Sequence, residues 1–451
     1  MTTLVSASAR ADLHALVREW YRTQPPAMEL AGAEAFALAV GQVVAECVFE
    51  EAVAACGTRA GYQGPFLPCP CGRPARFVGY RRRWVRGQPG EVPVTRAYYH
   101  CRECSQGQCP WDRTQGLDQD TLTPGFKACV ADLCGRLVFR EAGAVLERFT
   151  HQALPVSGLE EATAQVGARL RAVENEQVRL LFEEQTLPGA DPFLTQVVGK
   201  RAYLCVDAAK AHTNGNWHDV KVATFFPGVP PGAAAVPLSG RGERRWDTVG
   251  PARYLAIQEA AEPFGRRLYT FALRLGCERA RELVFLGDGA EWIWNLAAKH
   301  FSDAVCILDF YHASEHVWEI ARVAFGEGQP AGKEWATTCT QELREAGVTG
   351  LLRSLRRLRE RELSVAARAA IVREVQYFRR NRARLNYPEY RRQGMMIGSG
   401  PVEAACKSIV GSRLKGTGMR WSEEGADAVL AIRTALLGEE HDRISRAAYA
   451  V

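Results

Sequence analysis

No basic start followed by an apolar stretch opens the chain, which begins MTTLVSASARADLHALVREW, so no secretory leader is expected. A clean membrane-length apolar run is also missing. The segment LAGAEAFALAVGQVVAECVFEEAVAAC is broken by Glu34, Glu46, Glu50 and Glu51, and no membrane span is expected. Nor is there a disulfide framework: of fourteen cysteines, several (Cys205, Cys277, Cys306) stand singly inside apolar segments, the pattern of reduced, buried thiols in a cytosolic protein. Two segments, finally, have little negative charge. Residues 73 to 102 hold eight arginines against Glu91, and residues 351 to 392 hold thirteen against four glutamates, so the remainder of a chain of net charge +6 is acidic. A salt-bridged helix face does not explain thirteen arginines with four glutamates. Clustered arginine fits a polyanion, and nucleic acid is the expected partner.

The chain has 451 residues, 47% hydrophobic and 24% charged, enough for several domains and a large core. Its abundance of Ala, Arg and Gly points to a GC-rich bacterial genome. Residues 1–65 show helical spacing at Leu13, Leu16, Val17 and Trp20, then at Phe36, Val40, Val43, Val44 and Val48. These helices serve either dimerisation or packing.

Residues 66–120 pair cysteines around a hairpin. Cys69/Cys71 and Cys101/Cys104 flank RFVGYRRRWV and EVPVTRAYYH, two strands joined by the turn GQPG. The layout is that of a zinc ribbon, in which a structural Zn²⁺ supplies stability that so small a core lacks. The first pair is spaced C-x-C rather than C-x-x-C, so Cys109 is an alternative ligand. Arg81, Arg82 and Arg83 on the first strand are candidate DNA contacts. Residues 121–190 read as three helices, the third capped by Ser157, and suit either a helix-turn-helix or an ordinary bundle. Glu160 and Glu161 would face DNA badly.

From about residue 191 strands and helices alternate. RAYLCVDAAK, WHDVKVATFF, ARYLAI, ELVFLGD and AVCILDF are strands, the first, fourth and fifth carrying Asp207, Asp288 and Asp309 at their C-terminal ends. The order is that expected of a mixed α/β sheet with an RNase H-like fold, and ligands bind at that edge. Residues 326–392 form an arginine-rich α-helical insertion, in which Tyr377, Phe378, Tyr387 and Tyr390 either pack or stack on bases. The core resumes over 393–451 with GSGPVEAACKSIVGSRLKGTGMRW. Here Gly400 is read as the cap, and Val402, Ala405, Ile409 and Val410 form one buried face. Glu403 is either a capping residue paired with Lys407 or the last ligand of a metal site that faces phosphate, backed by Lys407, Arg413, Lys415 and Arg420. Trp421 either packs or stacks on a base.

Four strings in order, VDAAKAHTNGNWHDVKVATFF, LGDGAEWIWNLAAKHF, LDFYHASEH and GSGPVEAACKSIVGSRLKGTGMRW, together with the ribbon segment RAYYHCRECSQGQCPWD, resemble bacterial insertion-sequence transposases of the ISKra type, a DDE class related to Mutator-like elements. The likeness runs from about residue 66 to 437. It implies an acidic triad of Asp207, Asp288 and Glu403, and a D-x-x-H signature at Asp309 and His312. Ala208, where the pattern has glycine, and the short first cysteine pair depart from it. The resemblance also implies two Mg²⁺ or Mn²⁺ ions on the triad, cleavage at the terminal inverted repeats of the element, joining of the freed 3′-hydroxyl to target DNA, and a homodimer or higher assembly on DNA. Two other readings stay open: an RNase H-like metal-dependent nuclease or resolvase, and a non-catalytic zinc-containing DNA-binding protein derived from a transposase.

Overall fold

A computed structural model describes residues 7–22, 29–57, 61–117, 121–230, 247–359 and 363–449. The first six residues, and Glu360, Arg361 and Glu362 of the second basic segment, lie outside the described residues. The chain forms two compact units, Met1–Trp111 and Asp112–Val451.

In the first unit two helices, Ala7–Tyr21 and Leu30–Gly57, follow the expected spacing, with Trp20 stacked on Phe36 at 5.4 Å. Leu38, Val43, Val44 and Val48 are exposed. The stretch Leu30–Ala55 is long and apolar enough to cross a membrane by length and composition, which the expectation of no membrane span did not allow for. Glu34, Glu46, Glu50 and Glu51 would each be costly in hydrocarbon.

Strands β1 (Phe66–Pro68), β2 (Pro74–Arg86), β3 (Glu91–His100) and β4 (Gly107–Gln108) form an antiparallel sheet in that order. The GQPG turn closes with Gly87 N–H donating to Gly90 O at 2.8 Å, and Arg86 pairs with Glu91 across the end at 3.4 Å. Alternation buries Ala75, Ala97 and Tyr99 beside Leu67, a core too small to hold a fold by itself. The four sulfurs of Cys69, Cys71, Cys101 and Cys104 complete it, all within 4.8 Å of one another. Cys69 lies 3.5 Å from Cys104 and Cys71 lies 3.6 Å from Cys101. Zn–S bonds of about 2.3 Å in a tetrahedron put sulfurs roughly 3.8 Å apart, so the set fits zinc. The short C-x-C spacing is accommodated because Gly72 takes φ +83° and donates back to Cys69 O at 2.9 Å. Cys109 stands outside the group.

The second unit is built on a mixed sheet of β5 (Arg201–Thr213), β6 (Asn216–Val229), β7 (Thr248–Val249), β8 (Arg253–Ile257), β9 (Glu282–Gly287) and β10 (Val305–Leu308). Its order is β10-β9-β5-β6-β7, with β8 also on β6; β10 and β9 pair in parallel, as do β9 and β5, and the remaining pairs are antiparallel. The apolar runs Tyr203–Val206 and Val284–Leu286 are fully buried, as strands covered on both faces must be.

Helices Pro124–Arg136, Phe139–Thr150 and Val156–Glu183 precede the sheet. Ser157 is not the cap of the third: Pro155 is, its φ of −65° fitting the entry, and Ser157 sits inside the first turn. This helix runs 28 residues, and Val166 and Leu170 share a cluster with Ala431, Ile432 and Ala435 of the Glu423–Leu437 helix. Arg171 adds ion pairs to Glu174 at 2.6 Å and Asp427 at 3.0 Å. The segment 121–190 thus packs into the same unit as the sheet. The insertion is helical, with Pro330–Arg359 kinked at Gly347, Val365–Arg380 and Tyr387–Arg392. Phe378, Tyr387 and Tyr390 are buried, the packing alternative for these aromatics.

The sulfur cluster makes a direct prediction: purified protein carries about one zinc per chain by elemental analysis, Cys101→Ser abolishes it, and Cys109→Ser leaves it unchanged.

Candidate functional site

Parallel pairing of β5 with β9 ends at Val206 and Gly287, and the next residue on each chain segment is an aspartate. Neighbouring strands lie about 4.8 Å apart, so Asp207 and Asp288 leave the ladder side by side. Asp207 is not at a strand end, however. β5 runs on to Thr213 against β6, because Asn214 and Gly215, with φ of 48° and 81°, close a tight two-residue hairpin. The expected position is therefore corrected: Asp207 marks the end of the parallel pairing, in the middle of a longer strand.

Each aspartate is fixed locally. Asp207 Oδ1 accepts from Ala208 N–H at 2.7 Å, and Asp288 Oδ1 accepts from Ala290 N–H at 2.7 Å as the chain turns into the Glu291–His300 helix. The glycines around Asp288 serve packing as well as turning. A Cβ on Gly287 would lie 2.7 Å from Ile293 Cγ2, and one on Gly289 would lie 2.3 Å from Tyr377 Oη.

Glu403 arrives on the Gly400–Ala405 helix, which continues through a widened π-turn, Cys406–Gly411. Such widened turns are frequent at functional sites. Ser399, not Gly400, is the N-cap residue, so Glu403 is the fourth helical residue and misses the capping-box position. Among the described residues Glu403 forms no ion pair with Lys407, and its side chain is exposed. Val402, Ala405, Ile409 and Val410 are buried as expected. One turn beyond Glu403, the Cys406 thiol donates to Asp207 Oδ2 at 3.7 Å, which seats this helix on β5. Burial pushes the Asp207 carboxyl above the ordinary range, and the charges of Asp288 and then Glu403 add to it, against the pull of the Ala208 N–H and the Cys406 thiol. Asp288 and Glu403 are therefore each close enough to act on Asp207. Among the described residues the three carboxylates are not drawn within 4.8 Å of one another, as the four sulfurs are. An all-oxygen set of like charges, partly buried and held apart, suits hard divalent cations.

Asp309 is 3% exposed and fully engaged. Oδ1 caps the Phe310–Phe325 helix by accepting from His312 N–H at 2.6 Å, and Oδ2 accepts from Ser399 N–H. Asp309 is thus a helix cap, and the same carboxylate ties β10 to the entry of the Glu403 helix. The His312 ring lies edge-on to His316, and its Nδ1 is 3.6 Å from Glu315; neither contact is to Asp207, Asp288 or Glu403.

Sequence reasoning did not place Tyr377 at this site. Its hydroxyl is buried over Gly289 with no hydrogen-bond partner among the described residues, and its phenol is pushed up by burial and by the Asp288 charge. The His316 ring stacks on it at 3.8 Å while His316 Nδ1 meets Glu374 at 2.6 Å. Nothing local in VQYFRR signals this contact, which arises because the insertion folds back onto the turn that follows β9.

The expected DNA contacts divide. Lys407, Lys415 and Arg420 are exposed, as are Arg81 and Arg82, while Arg83 is half-buried. Arg81 lies over Tyr98 at 3.4 Å, within the first unit. Arg413 is a correction: it is 1% exposed and donates from Nε to Cys134 O at 2.9 Å, so it is not a surface phosphate clamp.

The chain matches no family model, and no curated protein matches it closely enough to count as a relative.

Two outcomes follow from this geometry. Asp309→Ala strands two part-buried N–H groups, of His312 and Ser399, and costs about 2 kcal/mol of stability, read as a lowered midpoint in chemical denaturation. Asp207 has a raised carboxyl, so its contribution to stability is greatest when protonated and is lost as pH rises through its folded value. Asp207→Asn therefore raises the melting temperature of metal-free protein at neutral pH, and the gain shrinks towards pH values at which the wild-type carboxyl is protonated.

Proposed function

We propose that the protein is a DDE-class DNA transposase of an insertion sequence, similar to the ISKra type, with an RNase H-like catalytic core. The observation that carries this reading is the juxtaposition of Asp207 and Asp288 at the end of the β5–β9 pairing, with the Glu403 helix seated on Asp207 through Cys406. The sheet order β10-β9-β5-β6-β8, with an antiparallel β5–β6 hairpin beside parallel β9 and β10, supports the RNase H-like assignment.

Asp207, Asp288 and Glu403 would hold Mg²⁺ or Mn²⁺, and bound divalent cations supply charge compensation for the carboxylates and Lewis acidity at phosphorus. The chain's own residues bind and orient the DNA. Lys407, Lys415 and Arg420 stand exposed beyond Glu403, and the insertion adds exposed Arg356, Arg357, Arg373, Arg379 and Arg380, none of them in an ion pair among the described residues. These cations attract phosphates and release counterions. In the first step water adds to the scissile phosphorus and the bond to the 3′ oxygen breaks, which leaves a 3′-hydroxyl and a 5′-phosphate. In the second, that hydroxyl attacks a target phosphodiester, so one bond to phosphorus replaces another. The partners are the terminal inverted repeats and target DNA, with a second copy of the chain required to hold two ends together; no membrane partner is proposed.

The test uses DNA carrying the inverted repeats that flank the reading frame. Mg²⁺-dependent nicking at the repeat ends is expected, and Asp288→Asn lowers it by at least about a hundredfold with DNA affinity retained. Undiminished nicking by Asp207→Ala, Asp288→Ala and Glu403→Ala would overturn the assignment. Cutting without joining would leave a nuclease on the same carboxylates.

A further inference from the structure

The second unit contains a cavity of about 340 Å³ between the start of the Phe310–Phe325 helix, the insertion and the entry of the Glu403 helix. That volume lies within the range of about 300–1,000 Å³ typical of ligand sites. Its accessible lining is of two kinds. Tyr311, Met396, Ile397 and Pro401 form an apolar wall, and Arg344 and Arg391 come from two different helices of the insertion. Both arginines are exposed, and neither is in an ion pair among the described residues. None of the described residues that line the cavity is acidic.

Solvation accounts for an exposed arginine. It does not account for Tyr311, which is 68% exposed and yet held in place. Its ring meets the Phe310 ring edge-on at 5.7 Å and lies over Gly398, where a Cβ would come within 2.9 Å of Tyr311 Cε2. An aromatic ring already fixed by its neighbours and still open to solvent can stack on a base at little entropic cost. Arg344 is oriented in the same way: its guanidinium lies over the Phe310 ring at 4.7 Å, which covers one face and leaves the in-plane N–H groups for an acceptor.

An occupant that uses the whole cavity carries an anionic group for the two guanidinium ions and a planar face for Tyr311. Inorganic phosphate would leave the apolar wall wet, and a neutral aromatic would leave both cations unused. A paired duplex keeps its base faces inside the stack, whereas a nucleotide out of the stack offers a base face and a phosphate on one unit. Apart from the Tyr311 hydroxyl no uncharged polar side chain among the described residues lines the cavity, so little is present to read a base edge. We propose that this cavity takes one unstacked nucleotide of a DNA strand, its base on Tyr311 and its phosphate at Arg344 and Arg391, whichever base it carries. This rests on the nucleic-acid reading above. Pro401 stands two residues before Glu403 on the same helix, about 3 Å at helical rise, so the nucleotide is held beside the carboxylates.

The test is fluorescence anisotropy with the full chain and no added divalent ion, so that no cutting occurs. Labelled duplexes are fully paired, or carry one unpaired adenine, cytosine, guanine or thymine nucleotide, or carry one unpaired abasic nucleotide. Each of the four bases is expected to strengthen binding roughly tenfold over the paired duplex, the scale of one stacked base, and the abasic nucleotide to lose most of that gain. Tyr311→Ala removes the gain and leaves affinity for the paired duplex unchanged, while Tyr311→Phe keeps it. The double variant Arg344→Gln, Arg391→Gln weakens the duplexes with an unpaired nucleotide more than the paired one. Equal affinity for paired and unpaired duplexes, a gain confined to one base, or a gain unchanged in Tyr311→Ala overturns the subsite and leaves the DNA-binding reading standing. No binding of any duplex removes both.

Discussion

The repulsion between Asp207 and Asp288 is the constraint on which the second unit depends. Parallel β5 and β9 place them on adjacent backbones at the same level, and burial denies Asp207 much of the water that would otherwise screen its charge. A fold under no functional demand would have little reason to retain that arrangement. Here the surroundings hold it in place. Ala208 and Ala290 N–H groups fix one oxygen of each carboxylate, and Cys406 brings the Glu403 helix to the other oxygen of Asp207. Asp309 secures the entry of that same helix by accepting from Ser399 N–H. The third carboxylate thus comes from the far side of a long helical insertion, and a buried polar contact at the β10 end positions the segment that carries it.

Much of this was legible in sequence, for identifiable reasons. Continuous apolar runs ending in aspartate marked β5 and β9, since strands buried on both faces read that way. The buried face of the Glu403 helix followed from its spacing. What was not legible depended on pairing and on distant contacts. The extent of β5 is set by a hairpin at Asn214–Gly215 rather than by the aspartate. The burial of Arg413 depends on neighbours that arrive from residues 134 to 139 and 421, and no local pattern encodes that. Tyr377 is the clearest case: it reads as one more aromatic of an arginine-rich helix, yet it covers Gly289 because the insertion folds back onto the turn after β9.

The first unit is organised by a different necessity. A hairpin with a core of a few side chains brings four sulfurs together, a set on which Zn²⁺ would supply the stability that core lacks, and its long strands present Arg81, Arg82 and Trp84 outward. The basic stretches on this hairpin and on the insertion share one physical property, exposed guanidinium groups with few acidic neighbours.

The central claim is that Asp207, Asp288 and Glu403 together form one divalent-cation site. Crystals grown or soaked with Mn²⁺ and measured at the manganese absorption edge test it directly. Anomalous peaks within coordination distance of oxygens from all three carboxylates, about 2.0–2.3 Å, are the predicted result. Folded protein with manganese bound elsewhere, or with none at these carboxylates, would contradict it.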